Sequence, residues 1–463
     1  MHKSTEWTVL VIRVDRQEVT AVPSYGSART RRRAALAAGV GNFMEWFDFA
    51  VYGFFAPTMG KVFFPDSSAT VGLLSSLAVF GVAFFFRPIG GLVLGSLGDR
   101  RGRRFALSVS VVMMGATTTL IAALPSYQTA GMLAPVLLVV LRCLQGFSAG
   151  GEWTGSAAYL LEMTPGNRRG VYGSVISATA ALATVAGSFS ALVVESLVGA
   201  DSLVSWGWRI PFLAAAPLAL AGLYVRLRLA ETPVFEELKA QGKVADKPLR
   251  SAGRKDLKPV LLTLAIAAVQ GLGFYYLATY VVNYLSETVD LSRTTSLQLS
   301  AAGLLVYTAL CPVAGAVSDR LGRRRVNLAG SVGYIVLGLP AFVLMGRGDV
   351  ASVLLGMLLL IVPQSLVSVT TVVMLVELFP AATRSSGSAT GFNIALAFVA
   401  GPGPFVASAI ASATGSSVWP ASYLVVVALV ATVFLARHLP ETAGRDIGAG
   451  DRPAEPDLVG EAR

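Results

Sequence analysis

Apolar runs of about 20 residues recur along most of the chain, from residue 34 to residue 436, separated by short polar stretches. As an α-helix, a run of that length crosses roughly 30 Å of hydrocarbon. The pattern predicts about twelve spans, at residues 34–62, 70–97, 105–125, 131–160, 170–197, 209–229, 259–285, 296–317, 326–346, 350–377, 386–412 and 419–437. The fold class is therefore an all-α polytopic membrane protein. The alternating short segments of a membrane β-barrel are missing from the sequence. Residues 34–229 and 259–437 form two six-span bundles, and the polar, Lys- and Glu-rich segment 230–258 links them. Residues 1–33 and 438–463 are polar tails, expected to be disordered. The first lacks the charged-then-apolar pattern of a signal peptide.

Composition agrees. The chain is 54% hydrophobic and 14% charged, too apolar for a soluble protein of 463 residues. A formal net charge of +10 would suggest nucleic acid for a soluble protein. Here the Lys and Arg residues fall in alternate short loops. They set membrane orientation, with both termini in the cytoplasm, and imply no nucleic-acid partner. Cys143 and Cys311 lie within spans far apart in sequence, as free buried thiols, with no metal cluster implied. The two histidines, His2 and His438, lie in the tail and at the end of the last span. Any proton moved through the bundle must be carried by carboxylates.

The halves repeat. GSLGDRRGRR (95–104) recurs as GAVSDRLGRR (315–324), and LLEMTPGNRRG (160–170) is echoed by LVELFPAATRSSG (375–387). The sixth span ends in AETP and the twelfth in PET. Matched features in the same order imply two pseudo-symmetric halves around a midplane cavity.

The loop G-x-x-x-D-R-x-G-R-R and its copy resemble the signature of the major facilitator superfamily. GNFMEWFDFAVYGF, FFFRPIGG, RCLQGFSAGGEW and RLAETPVFEEL resemble the metabolite:proton symporter family within it, which includes carriers of α-ketoglutarate, citrate, shikimate, and proline or glycine betaine. The resemblance implies a monomeric secondary transporter in the inner (cytoplasmic) membrane that works by alternating access. It would take up a small carboxylate-bearing metabolite with protons, the proton gradient being its energy source. Neither a cofactor nor enzymatic catalysis is implied. The same fold also serves proton-coupled export of drugs or metabolites. A membrane sensor would need a soluble domain, and the polar stretches between spans are too short for one.

Five ionisable residues fall inside spans of the first half: Glu45, Asp48, Arg87, Arg142 and Glu152. Charges in a bilayer are costly and are kept where they face a cavity, a partner or an ion. Glu45 and Asp48 are i, i+3 on one helix face, with Tyr52 one turn beyond Asp48. At 1.5 Å per residue, Glu45 lies about 16 Å and Asp48 about 21 Å from the cytoplasmic end. Arg87 lies about 15 Å and Arg142 roughly 25 Å from that side, with Glu152 some 12 Å in. Depth pairs Glu45 with Arg87 and Asp48 with Arg142. Asp48, Glu45 and Glu152 are the candidate proton-coupling acids. Arg142, Arg87 and Tyr52 are candidate substrate contacts, the guanidinium forks suiting a carboxylate. A purely structural pairing is open for each of these charges.

The seventh span adds Gln270, Tyr276, Tyr280 and Asn283, with Tyr275 beside them. Spacings of i, i+4 and i, i+7 put Tyr276, Tyr280 and Asn283 on one face. That face is either packing or a cavity wall supplying hydroxyls or a π-face for a quaternary ammonium. Gln364 and Asn393 are further candidates. In the paired loops, Asp99 and Asp319 are placed to cap neighbouring helices. The arginines after them, Arg100, Arg103, Arg320 and Arg323, are placed to pair with Glu162 and Glu377. Such clusters would gate the cytoplasmic side.

Overall fold

The computed structural model describes residues 28–65, 69–245 and 257–448. The expectations of disorder for residues 1–27 and 449–463 lie outside them. Among the described residues the regular elements are all helical. Twelve long helices form the body: α1 (Ala28–Phe54), α2 (Ala69–Arg101), α3 (Arg103–Ala123), α4 (Leu133–Glu162), α5 (Arg169–Val198), α6 (Arg209–Leu227), α7 (Leu257–Thr288), α8 (Arg293–Leu321), α9 (Arg323–Met345), α10 (Val350–Glu377), α11 (Arg384–Thr414) and α12 (Ala421–His438). The last eleven are long and apolar enough to cross a membrane. α1 is equally long, but an N-terminal run of arginines together with Glu45 and Asp48 lowers its apolarity.

The sequence repeat is a repeat of packing. α1 packs on α5, α2 on α4, and α3 on both α4 and α6. In the second half α7 packs on α11, α8 on α10, and α9 on both α10 and α12. The halves meet along α2 with α11 and α5 with α8. Glycines permit the closest approaches. A Cβ at Gly150 would stand 2.1 Å from the Arg87 carbonyl oxygen, and one at Gly90 1.8 Å from that of Phe147, so α2 and α4 touch backbone to backbone. Gly95 and Gly315, the first residues of the two loop motifs, lie against Ser385 and Gly170 of the opposite half. Gly102 and Gly322, inside the same motifs, have φ of +106° and +93°, which favour glycine.

Several expected elements differ. The first span breaks at Phe55 and restarts as the short helix Ala56–Phe63, with Pro57 in its first turn, where a missing N–H costs nothing. α7 contains wide π turns at Tyr276–Tyr280 and Tyr284–Thr288. α11 contains another at Leu396–Ala400 and is interrupted before Gly403, where Gly401 and Pro402 interrupt the helix. The linker holds a helix, Pro233–Ala240, capped by the Thr232 hydroxyl. Residues 439–448, expected to be a loose tail, pack on the bundle with Leu439 and Ile447 buried.

Gly150→Ala should lower the thermal midpoint of the purified protein, overpacking of this kind costing about 1–3 kcal/mol. Gly81, beside which nothing lies within 4 Å, is the control. Gly81→Ala should leave the midpoint unchanged or raise it, since alanine favours helix.

Candidate functional site

One face of α1 carries Gly41, Glu45, Asp48 and Tyr52, successive positions three or four residues apart. Glu45 Oε1 accepts from Arg87 Nη2 at 2.7 Å. Asp48 Oδ2 accepts from Arg142 Nη1 at 3.3 Å. These are the pairs that depth along the helices predicts. All four residues are no more than 1% exposed. Removing one member of such a pair strands a buried charge. Asp48 Oδ1 also accepts from Thr118 Oγ1 at 2.8 Å and Gln145 Nε2 at 2.7 Å, so this carboxylate faces into the first half. Arg142 keeps two donors, Nε and Nη2, without a hydrogen-bond acceptor among the described residues, and Glu45 Oε2 is likewise unpartnered. The Arg142 guanidinium lies over Tyr52 at 4.2 Å, Phe49 at 5.1 Å and Phe80 at 5.4 Å. Tyr52, offered from sequence as a substrate contact, is wholly buried and lends its ring to Arg142.

A third pair was not foreseen. Arg226 of α6 donates to both oxygens of Glu152 and to the Leu107 carbonyl, and Ser156 Oγ adds a bond to Glu152 at 2.9 Å. Arg226, inside the predicted span 209–229, is not among the five interior charges singled out from the sequence. Glycine at position 41 makes room, since a Cβ there would collide with Arg226 and Glu152. Glu152, expected among the coupling acids, is thus held by its own arginine.

Between the halves lies a cavity of about 100 Å³, walled by Trp46, Phe49, Phe54, Phe80 and Tyr275. It reaches Asn283 and Arg293 at the α7–α8 connection, the end of α8 opposite Asp319. Trp46 of the first half meets Phe274 and Tyr275 of the second at 4.7 and 5.8 Å between ring centres.

Tyr276 and Tyr280 do share a face, their rings 5.1 Å apart, but that face turns away from the cavity. Both pack against Phe342, and the Tyr276 hydroxyl donates to the Pro420 carbonyl at 2.8 Å. Asn283 is exposed at the cavity rim rather than aligned with Tyr276, because the intervening π turn shifts the helical phase. Gln270 is buried off the cavity, its carbonyl accepting from Gln364, whose own side-chain oxygen takes the Tyr334 hydroxyl at 2.5 Å. Asn393 of α11 is more central than expected. Its side-chain oxygen accepts from Arg87 Nε at 3.4 Å, and its amide donates to the Gly150 carbonyl at 2.7 Å.

At the other end of α2 and α8 the loop motifs build two related clusters. Asp99 accepts from the backbone N–H of Ser385 and Ser386, at the start of α11. Asp319 accepts from those of Gly170 and Val171, at the start of α5. Each acid thus caps a helix of the opposite half. Arg103 binds Asp99 at 3.0 Å and Glu162 at 3.3 Å, and Arg323 binds Asp319 at 2.8 Å and Glu377 at 3.5 Å. Across the halves, Arg384 binds Glu162 at 2.7 Å and Arg169 binds Glu377 at 3.1 Å. Arg100 and Arg320, expected to join, are exposed and make no ion pair among the described residues. Following Asp99 and Asp319 directly, they point to another side of the helix.

The AETP and PET repeats, given no role from sequence, complete the clusters. Glu231 accepts from the N–H groups of Arg103 and Arg104, and Glu441 from those of Arg323 and Arg324. Thr232 donates to Glu162 at 2.6 Å and Thr442 to Glu377 at 2.7 Å. Burial raises the Glu231 carboxyl above its ordinary range, an effect opposed by the N–H donors of Thr232 and Arg104. The signal for these residues was the matched spacing itself. Arg169 and Arg384 stand at equivalent places in GNRRG and ATRSSG.

If these clusters hold the face shut, Asp99→Ala with Asp319→Ala should expose it. In a background without Cys143 and Cys311, a cysteine replacing buried Ser388 should react with a soluble maleimide at least tenfold faster in the double variant. Equal rates would mean the caps do not hold that face.

The model of the Major Facilitator Superfamily matches residues 38–402 and 263–458 of the chain. A proline/betaine transporter of Escherichia coli K12 is 36% identical over 436 residues, 92% of this chain and 87% of that protein. A glycine betaine/proline/ectoine/pipecolic acid transporter of Dickeya dadantii is 35% identical over 436 residues, 92% of this chain and 86% of its own. A solved proton:xylose symporter, bound to 6-bromo-6-deoxy-D-glucose, superposes with a TM-score of 0.78 at 18% identity, covering 91% of this chain and 98% of that one.

Proposed function

The chain belongs to the major facilitator superfamily, and on that premise we propose that it is a proton-coupled symporter for uptake of a small zwitterion of the proline or betaine type. Its relatives are named as transporters of proline, betaine and similar zwitterions. The observation that carries the finer reading is the Asp48–Arg142 pair, with two guanidinium donors left unpartnered behind an aromatic-walled cavity. A substrate carboxylate suits the free edge of the Arg142 fork. As it engages, it competes with Asp48 for the same cation. An acid that loses its counter-charge in a dry site takes up a proton, so substrate and proton are bound together. The walls of Trp46, Phe49, Phe80 and Tyr275 offer π-faces to an ammonium, which favours a zwitterion over the di- and tricarboxylates and shikimate.

The remaining roles follow from position. Glu45 and Arg87 join the proton-bearing half to α11 through Asn393. Glu152 with Arg226 supports α1 beneath them. The two loop clusters hold one face closed, and breaking them is part of alternating access. By the positive-inside rule that face is cytoplasmic, as are both termini, in the inner membrane, and the cavity opens outward. The protein works as a monomer.

The test is internal pH in proteoliposomes with a trapped pH dye. Glycine betaine or proline added outside should acidify the lumen; α-ketoglutarate, citrate and shikimate should not. Silence from folded protein with both zwitterions would sink the reading. Asp48→Asn should abolish accumulation against a gradient while leaving substrate exchange. Arg142→Lys should weaken substrate affinity at least tenfold, because lysine lacks the planar fork.

A further inference from the structure

Phe49 is the residue next to Asp48 and stands one helical turn beyond Glu45. Its ring forms part of the cavity wall, yet Phe49 itself is only 5% exposed. Behind that ring lie both central arginines, Arg87 at 5.5 Å and Arg142 at 5.1 Å from its centre. The ring is fixed edge-on to Phe80 at 5.9 Å and tilted against Phe84 at 5.4 Å, and Phe84 meets Tyr275 of the second half at 5.5 Å. A continuous aromatic layer thus separates the cavity from Arg142 and Asp48. The unpartnered Arg142 donors and Glu45 Oε2 lie behind it. Neither arginine is among the residues that wall the cavity.

The layer has somewhere to go. Gly53 is one helical turn beyond Phe49, also on the cavity wall, and nothing lies within 4 Å of where its Cβ would stand. A phenylalanine side chain that turns about χ1 needs such free space in an otherwise close-packed bundle.

We infer that the Phe49 ring is a seal between the cavity and the Asp48–Arg142 pair, closed until substrate displaces it. The inference rests on the symport reading for what displaces the ring, but the seal itself is read without substrate. With the ring in place, water and protons in the cavity are kept from Asp48, and a carboxylate cannot reach Arg142. With the ring withdrawn, both gain access together. Phe49 is then a positioning residue that ties proton entry to substrate entry.

The experiment drives protons into proteoliposomes with a valinomycin-imposed potassium potential and follows a trapped pH dye, with no substrate present. The unsubstituted protein should pass no more protons than empty liposomes. Phe49→Ala should raise the flux at least tenfold over the unsubstituted protein. Phe49→Leu, which keeps most of the volume, should stay tight. Adding Asp48→Asn to Phe49→Ala should return the flux to the level of empty liposomes. A tight, folded Phe49→Ala protein overturns the seal. So does a leucine variant that leaks as much as alanine, or a leak that persists without Asp48. Should the alanine variant fail to fold, Phe49→Val carries the same test with the same expected direction. If neither zwitterion acidifies the lumen but Phe49→Ala leaks through Asp48, the seal stands and the substrate reading falls. If symport proceeds and Phe49→Ala is tight, the seal alone falls.

Discussion

A guanidinium taken out of water must find an acid, because the desolvation cost of a lone ion is several kcal/mol or more. That constraint organises the whole molecule. Arg87, Arg142, Arg226, Arg103, Arg323, Arg169 and Arg384 are all buried, and each is met by a carboxylate. Three of the carboxylate partners, Glu45, Asp48 and Glu152, sit on or against one face of α1. The others sit where α2, α4, α8 and α10 end. Helices that would otherwise be interchangeable apolar cylinders are given register and depth by these contacts.

The same constraint explains why so much was legible in the sequence. Hydrocarbon thickness sets span length, so the twelve helices follow from run length alone. Partners inside a bilayer must lie at one depth, so counting residues paired Glu45 with Arg87 and Asp48 with Arg142. Arg226 escaped because it lies near the end of its helix, where a basic residue usually turns to the headgroups. Asn283 misled because face arguments assume a constant 3.6-residue turn, and the π turn before it breaks that assumption, whereas Tyr276 and Tyr280 share their face and pack it against Phe342. Trp46 and Phe49 gave no signal as cavity walls. An aromatic residue in a span reads the same whether it faces lipid, a neighbour or a void.

Repetition carried information that single residues did not. AETP and PET are short and unremarkable alone. Their matched positions after the sixth and twelfth spans mark Glu231 with Thr232 and Glu441 with Thr442 as parts of one device built twice. The expectation of a loose tail failed over residues 439–448 for the same reason. The PET segment has a docking place prescribed by the first half's AETP, and the chain continues far enough for the Arg445 and Ile447 carbonyls to accept from Arg169 and Arg384.

The loop clusters and the centre of the bundle are not independent, because α11 belongs to both. Its first turn is capped by Asp99 of α2, and Asn393, farther along, holds Arg87 of the same α2 and the Gly150 carbonyl of α4. Gly91 leaves room for that contact, since a Cβ there would stand 2.5 Å from the Asn393 amide nitrogen. Any movement that withdraws α11 from α2 must uncap the helix and release Arg87 from Asn393 together. What is left to Arg87 is then Glu45 and the Ala149 carbonyl, and its guanidinium is less firmly held near Asp48. The second seam, α5 against α8, carries the matching cap at Asp319 but, among the described residues, no central ion pair; beside it Ser368 of α10 donates to Ser177 of α5 at 2.9 Å. The two seams are therefore alike at the loops and unlike at the centre. Opening the α2–α11 seam is the one that reaches the buried acids, which places the coupling of shape to charge on that side of the molecule.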